Sequence, residues 1–576
     1  MNTGASGLRY QADETPPLAM TVGLGVQLAA LNLAAVMLIP TVVMRAAGQP
    51  ESYVSWAVLA SVGICGLTTM LQAVRYGRIG TGHVLVMGSS GAFIPVCIAA
   101  LAEHGPGTLA TLVVISCLVP FALSWRLSLF QRVLTPAVSG TVVMLIPITV
   151  LPIVGEMLTV SADGLPASGR VISAVATVAV IAGIALTAKG ALRLWSPVIG
   201  VAAGSLIAAF FGMYDLGRIG DAGWVDLPRG EWPGFDAGPE IWTLLPGFLL
   251  AGLIASIRTI SGAIAIQRVS WRQSRAVDFR AVQGAMTVDG LASLFSGLSG
   301  TVPSTAYSIS VSVSELTGVA ARAVGVAAGA VFLVLLFFPK AFAAILAIPD
   351  AVFAAYLAVL LATLFMVGIR MALQDGLDYA KAFIIGTAFL VGVTFQYDLV
   401  FPEQVAAFAG GLFRNGMNAG GLTAIVLSLF VEMTRPRRRR LETELDPSAL
   451  PAIRDFMGEF AARSGWGAEM VDRLDAVSEE AMMTLLRQGR EGGAQPDRRL
   501  LIGAARDEAG AVLEFLVTPR DENIQDRLAL LGEQQDDESV DQEVSLRLLR
   551  KLSSSVRHQQ FHDTDIVTVR VNTGGD

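Results

Sequence analysis

Cysteine and histidine are scarce in this chain, three and four among 576 residues. Cys65, Cys97 and Cys117 lie in apolar stretches at no metal-type spacing, so they read as small buried hydrophobes rather than ligands. The apolar stretches hold no His/Glu metal spacing and no nucleophile constellation, which argues against an enzyme, a bound metal or a cofactor. Charge is also short, at 15% of residues against about 25% in ordinary soluble domains. Residues Met1 to Pro17 contain no apolar run behind a basic start, so no signal peptide is expected and the first span itself directs insertion. The net charge of −7 mixes two unlike regions, and nothing in it points to nucleic acid.

What the chain has instead is hydrophobic length. Its residues are 53% hydrophobic and its mean hydropathy is +0.59. A helix needs roughly 20 apolar residues to cross a bilayer. Stretches of that kind run near Leu18–Met44, Ser55–Val74, His83–Leu101, Thr108–Trp125, Pro136–Val154, Val171–Ala188, Pro197–Gly212 and Trp242–Ile266. They continue at Val282–Leu298, Ser304–Leu316, Ala323–Phe338, Ala351–Val367, Ala382–Phe395 and Val405–Val431, fourteen in all. With the N-terminus inside, the joints facing the cytoplasm carry thirteen Lys and Arg and the outer ones five. The basic run Arg435, Arg437, Arg438, Arg439 and Arg440 then also falls inside, the bias expected of a cytoplasmic flank.

Two spans are broken. The third contains Met87-Gly88-Ser89-Ser90-Gly91-Ala92-Phe93-Ile94-Pro95, and the tenth Thr301-Val302-Pro303-Ser304-Thr305-Ala306-Tyr307. Non-helical backbone at membrane depth survives only where protein or a cavity satisfies its polar groups. Each break is the third span of a seven-span half, and paired breaks in matching places point to an inverted-repeat transporter with a midplane site. The blander reading is that Gly and Ser let helices pack closely.

At these residues the chain resembles the nucleobase–cation symporter family of xanthine and uracil permeases, the nucleobase/ascorbate transporters. The resemblance runs in order over most of 14–432. It begins with Glu14-Thr15-Pro16-Pro17 and Leu24-Gly25-Val26-Gln27, followed by Gly66-Leu67-Thr68-Thr69 and Phe130-Gln131-Arg132-Val133-Leu134-Thr135-Pro136. Asp289-Gly290-Leu291-Ala292-Ser293, Gly300-Thr301-Val302-Pro303-Ser304-Thr305 and Gly420-Gly421-Leu422-Thr423-Ala424 complete it. It implies core and gate domains and a solute held between the broken spans. Candidate contacts are therefore Gln27, Ser89, Ser90, Gly91, Ala92 and Phe93 in the first half, and Arg258, Ser304, Thr305, Ala306 and Tyr307 in the second.

The chain departs from that family where a base would be read. The family's eighth-span carboxylate, in a Glu-x-x-Gly-Asp pattern, is Arg258 here, within Arg258-Thr259-Ile260-Ser261-Gly262. The tenth-span polar pair is Ile309-Ser310, and the His that follows the first-span Gln is Leu28. An arginine accepts no hydrogen bond and presents five donors, so the site suits an anion such as urate, a carboxylate or an inorganic oxyanion. Intramembrane charges usually pair or line a path, and Asp289 and Glu315 are the candidates for pairing with Arg258 or for ion coupling. His83 reads as interfacial. The outer joint from Tyr214 to Glu240, with Trp224 and Trp232 among six carboxylates, reads as a solvated loop with interfacial anchors.

From Thr434 the composition turns soluble. Helices are expected at Asp446–Arg463, Ala468–Arg487 and Gln542–Val556, and strands at Arg499–Ala505, Ala511–Thr518 and Asp565–Val571. The acidic segment from Gly532 to Gln542 reads as mobile. The order is faintly similar to an anti-sigma-factor ATPase-like domain around Glu479-Glu480-Ala481, but Thr484 stands where that family has Asn, and the Asp-x-Gly-x-Gly loop is absent. A regulatory or dimerising module is expected.

The expected architecture is an all-α polytopic membrane protein of about fourteen spans in two inverted seven-span repeats, with a small cytoplasmic α/β domain. Its parts are 1–17, a cytoplasmic N-terminal segment; 18–434, the permease domain with halves of about 18–213 and 242–434; 435–444, a basic linker; and 445–576, the tail. Its partners are a small-molecule solute, with H+ or Na+ for coupling, and the lipid bilayer of a bacterial inner membrane. A homodimer is left open. A transporter of a nucleobase-like or anionic solute is the leading reading. An inorganic or organic anion exchanger, or a transporter-like sensor signalling through the tail, are the alternatives.

Overall fold

The computed structural model describes residues 8–127, 135–159, 167–226, 232–239, 241–273, 275–373, 376, 378–400, 416–434, 439–490, 499–507, 510–517, 548–561 and 565–572. They divide into two compact units, one of Met1–Arg272 with Ala281–Val431, the other of Gln273–Arg280 with Glu432–Asp576. Several expected features lie outside the described residues: Phe130 to Leu134, the start of the fourteenth stretch up to residue 415, Arg435 to Arg438, Glu231, Glu240 and the acidic segment 532–542.

Long apolar runs form helices in the first unit because, in hydrocarbon, only an intrahelical ladder satisfies every backbone group within one segment. Among the described residues eight helices are long and apolar enough to cross a membrane, or nine if one bent pair counts as a single span. The helices α1 (Leu18–Ala46) and α2 (Glu51–Ala73) lead to a three-residue strand, β1 (Met87–Ser89), and then to α3 (Ile94–His104), α4 (Pro106–Ser116) and α5 (Leu118–Trp125). Next come α6 (Pro136–Thr159), α7 (Ala167–Thr187), α8 (Ser196–Phe210) and a short α9 (Leu216–Asp221). The second half runs through α10 (Ile241–Val269), α11 (Phe279–Leu298), β2 (Ser304–Ala306), α12 (Ile309–Thr317), α13 (Arg322–Leu335), α14 (Pro339–Leu346), α15 (Asp350–Ala372), α16 (Tyr379–Gln396) and α17 (Gly416–Thr434).

These helices sort into two bundles. In the first, α1, α2 and α13 pack on one another, and α10 packs on α4, α5, α12 and β2. In the second, α6 packs on α15 and α16, and α7 packs on α8 and α15. Small residues bring the backbones together in both. A Cβ on Gly66 of α2 would meet the Gly329 carbonyl and the Phe332 side chain of α13 at 3.0 Å. A Cβ on Gly140 of α6 would meet the Gly368 carbonyl of α15 at 2.6 Å.

Three sequence expectations need adjusting here. The eleventh stretch, Ala323–Phe338, is helical only to Leu335, and a second helix not expected from the sequence, α14, follows it at a bend of 86°, because Pro339 starts a new helix rather than continuing one from its interior. The joint after α8 is not wholly loop, since Asp215 caps α9 by accepting from the Arg218 N–H at 3.0 Å. His83 is 7% exposed, its ring edge-on to Trp271 at 5.9 Å, so it is packed rather than interfacial.

The N-terminal segment is held down as well. Arg272, just past α10, donates to both oxygens of Glu14 at 2.7 and 2.8 Å, and the Arg9 N–H donates to the Gly318 carbonyl at 2.7 Å. Gly318 ends α12 at φ 68°, the left-handed cap that glycine adopts without strain. Hydrogen bonding from Arg272, helped by the Gln11 N–H, lowers the Glu14 carboxyl below its ordinary range. A carboxylate stabilised in the folded state contributes above its unfolded pKa, about 4.3 for Glu, and its contribution is lost as pH falls through the folded value. Amide protection of residues 8–14, corrected for intrinsic exchange, is therefore expected to hold at pH 7 and to fall below pH about 4. Equal protection at both pH values would show that the pair does not hold the segment.

The second unit contains a five-stranded antiparallel sheet in the order β3-β4-β5-β7-β6: β3 (Arg439–Glu444), β4 (Arg499–Asp507), β5 (Gly510–Val517), β6 (Ser555–Gln560) and β7 (Asp565–Asn572). Two helices, α18 (Leu450–Ser464) and α19 (Ala468–Arg490), share a core with alternate strand residues, among them Met457, Phe460, Leu474, Leu513, Phe515 and Val569. The α/β character read from the tail is as found, with two corrections. Residues 439–444, expected within a basic linker, form the edge strand β3. Their alternation is hidden because only Leu441 among them is apolar, and charges suit an exposed edge. The expected helix Gln542–Val556 covers only 548–552 of the described residues. Ser555–Gln560 is a strand instead, fixed by pairing with β7, Val556 opposite Val569, where its own polar residues carry no strand signal.

Candidate functional site

The two broken spans meet. β1 and β2 pair antiparallel in the register Met87 with Ala306, Gly88 with Thr305 and Ser89 with Ser304. The Ser90 N–H donates to the Pro303 carbonyl and the Tyr307 N–H to the Val86 carbonyl, each at 2.8 Å. Their neighbours satisfy what the short ladder leaves open. Thr69 of α2 accepts from the Met87 N–H at 3.0 Å, Ser310 accepts from the Val86 N–H at 3.0 Å, and the Ser89 hydroxyl donates to the Val36 carbonyl of α1 at 2.8 Å. This is how non-helical backbone is tolerated at membrane depth.

Each strand feeds a half-helix. α3 starts five residues after β1, through a 3-10 turn at Gly91–Phe93, and α12 starts three residues after β2. Neither N-terminus has a side-chain cap. In α3 the Ile94 N–H donates to the Gly91 carbonyl and Pro95 has no N–H, and in α12 the Val311 N–H donates to the Ser308 carbonyl at 3.1 Å, so each helix start offers chiefly the positive end of its dipole. Ser89, Ser90, Gly91, Ala92 and Phe93 are buried here, as are Ser304, Thr305, Ala306 and Tyr307. The Ser90 hydroxyl has no hydrogen-bond partner among the described residues.

Arg258 projects from α10 beside this strand pair. Its guanidinium carbon lies 5.9 Å from the centroid of the Tyr307 ring, and the Tyr307 hydroxyl donates to the Ser89 carbonyl at 2.6 Å. Among the described residues Arg258 makes no salt bridge, and the carboxylate within its electrostatic reach is Asp289. Asp289 is 1% exposed, lies against the Thr259 side chain and has an unpartnered Oδ1 among the described residues. Arg258 and Asp289 are thus brought together. Glu315, the other carboxylate offered as a partner, is exposed two turns along α12. Gln27 is half-buried on α1, nine residues before Val36 where that helix touches β1, a rise of about 13 Å. No described contact joins it to the strands.

Thr259 was not singled out from the sequence. Its hydroxyl accepts from the Ala306 N–H at 3.3 Å and lies 3.1 Å from the Thr305 hydroxyl, which donates to the Ala255 carbonyl at 3.0 Å. It links the helix carrying Arg258 to β2 and to Asp289. A Thr one position after a lone Arg in an apolar run was the available signal.

Two helical bundles and a pair of broken spans, with Arg258 and Asp289 beside them, define a polytopic membrane transporter. The family model for xanthine and uracil permeases, described as "Permease family", matches residues 19–400, and the chain belongs to that family. It is a transporter rather than an enzyme. Xanthine permease XanP of Escherichia coli (strain K12) is 27% identical over 450 residues, covering 74% of this chain and 95% of that protein. A xanthine permease of Bacillus subtilis (strain 168) is 25% identical over 439 residues, covering 74% and 97%. Among solved structures, the transmembrane domain of a cyanobacterial bicarbonate transporter, BicA, is similar at 16% identity with a TM-score of 0.43, covering 73% of this chain and 100% of that one.

Proposed function

We propose that this chain carries a planar, acidic purine of the xanthine or urate class, as its anion, between the paired strands and Arg258. The observation that carries the reading is Arg258, stacked on Tyr307 beside the strand pair from which two half-helices start. A planar guanidinium fork matches two adjacent acceptors on a flat ring, and strand amides at the edge of the site match others. The names of the relatives support a purine, and the loss of the family's carboxylate at position 258 supports the anionic form.

Transport on this reading follows from motion of one bundle against the other across fourteen spans. Both termini are cytoplasmic, as the excess of Lys and Arg in the inner joints indicates, and the membrane is the bacterial inner membrane. Asp289, buried and beside Arg258, is the group that would exchange a coupling H+ or Na+. The tail regulates. Its unit includes the connector Gln273–Arg280, in which Phe279 stacks on Phe561 at 4.9 Å and Asp278 bridges Gln560. That connector joins α10, which bears Arg258, to α11, which bears Asp289.

Uptake of labelled xanthine, urate, uracil and sulfate into proteoliposomes tests this. Saturable xanthine or urate flux is expected, with little for uracil or sulfate. A chain lacking 435–576 is expected to keep that selectivity at an altered rate. Sulfate flux without purine flux would replace the reading by inorganic-anion exchange. Saturable purine binding without flux would replace it by a sensor.

A further inference from the structure

A charged cluster at the far end of α1 has no part in holding the solute. Arg45, in the last turn of α1, engages all three guanidinium nitrogens. Its Nε lies 3.1 Å from Glu51 Oε1 at the start of α2. Its Nη1 lies 2.9 Å from Asp350 Oδ1 at the start of α15, and its Nη2 donates to the Leu346 carbonyl of α14 at 2.9 Å. The guanidinium also sits 5.7 Å from the centroid of the Phe353 ring on α15. The second oxygen of Glu51 is taken by Arg218 of α9 at 2.8 Å, and Tyr214, just before α9, donates to the Ala344 carbonyl of α14 at 2.6 Å.

The partition of these residues carries the argument. Arg45 and Glu51 belong to the first bundle, while Asp350 and Phe353 belong to the second. α9 lies in the connector from α8 of the second bundle to α10 of the first, and α14 in the connector from α13 of the first to α15 of the second. Two of the three crossings between the bundles, the third being that from α5 to α6, therefore end on one cluster, and Arg45 is the side chain that spans it. We propose that Arg45 is a clasp that holds the passage between the bundles shut at this end, and that it must release Asp350 and Leu346 for that end to open. The inference rests on the reading of transport as motion between the bundles.

The exposures suit a reversible clasp rather than a fixed strut. The Arg45 side chain is 18% exposed, whereas Glu51 and Asp350 are 53% and 58% exposed. The covered arginine makes directional, charge-assisted bonds. The carboxylates stand in water, so their release costs little desolvation. A fully buried pair would not part at each turnover, and an isolated surface pair would not bias the equilibrium.

Ala351, beside Asp350 on α15, is 3% exposed and serves as a reporter once replaced by cysteine. The native Cys65, Cys97 and Cys117 are buried and stay in place. Proteoliposomes bearing Ala351→Cys are treated with a hydrophilic maleimide on both sides, and the labelling rate is compared with that of the same chain carrying Arg45→Ala, Arg45→Lys or Asp350→Asn. Arg45→Ala is expected to raise the rate roughly tenfold, and Asp350→Asn severalfold. Arg45→Lys, which keeps the charge but not the fork, is expected to fall between parent and Arg45→Ala. Labelling at the parent rate in Asp350→Asn, the mildest change, overturns the clasp even if Arg45→Ala fails to fold. Labelling requires no transported solute, so the absence of flux for every solute would sink the transport reading while the clasp is still measured. Unchanged labelling with intact flux would sink the clasp alone.

Discussion

Replacing Arg258 with Glu abolishes purine-anion uptake, with kcat/KM down by at least about a hundredfold, or roughly 3 kcal/mol at the transition state for translocation. Three effects act in the same direction. The fork of donors is lost, and Glu can only accept when ionised. The new carboxylate stands beside the buried Asp289, and two like charges cannot both ionise at close range in a medium of low dielectric. Whichever of the two carboxylates ionises then repels a negative solute. Arg258→Lys separates these terms, because it keeps the charge and removes the planar bidentate geometry. It is expected to lose about tenfold, mostly in KM, since a point charge still attracts the anion. Monodispersity in detergent, compared across the variants, establishes that each is folded. Xanthine and urate affinity unchanged in Arg258→Glu would remove Arg258 from the site.

The second large effect is expected at Gly88. A Cβ there would land on the Tyr307 ring across the strand pair, and that ring is fixed at its far end by the hydrogen bond to Ser89. Backbone on one side and a tethered aromatic on the other leave nothing free to yield. Gly88→Val is expected to cost about 1–3 kcal/mol of stability as an overpacked site, to separate β1 from β2 and to reduce uptake to background. The test includes its own control. In a Tyr307→Leu background the cost of Gly88→Val is expected to shrink, because neighbours in contact are non-additive. Thermal unfolding of the four proteins measures the coupling. Additive costs would mean that the ring is not what Gly88 accommodates.

Tyr307 and Gly88 also show how a short motif divides between what is legible and what is not. The breaks in the third and tenth stretches are visible as Gly, Ser and Pro in otherwise apolar runs, since backbone propensity is a local property. That the two breaks hydrogen-bond to each other is a contact between residues more than two hundred apart, and their register of Gly88 with Thr305 has no local signature. The same holds for the polar residues. Arg258 stands out in an apolar helix because a charge there is costly. Asp289 and Glu315 were equivalent as partners until packing buried one and left the other exposed. Gln27 had the symmetry of a first-span polar residue but falls more than two turns from the point where α1 meets β1.

The tail gives the converse lesson. The helices α18 and α19 and the strands β4, β5 and β7 were readable because their apolar residues recur at the period of the element they form. β3 and β6 were not, since Arg439–Glu444 and Ser555–Gln560 are polar edge strands whose conformation is supplied by the neighbouring strand.

By itself, then, the sequence determined the membrane class, the run of apolar stretches, the two interruptions and the change to a soluble tail, because hydropathy and backbone propensity act within a few residues. Only the tertiary structure decided that Thr259 ties Arg258's helix to β2, that Asp289 and not Glu315 lies beside the arginine, and that Arg45 reaches Asp350 across the two bundles. Those outcomes depend on which helix faces are buried against each other, and that is settled by the packing of the whole chain.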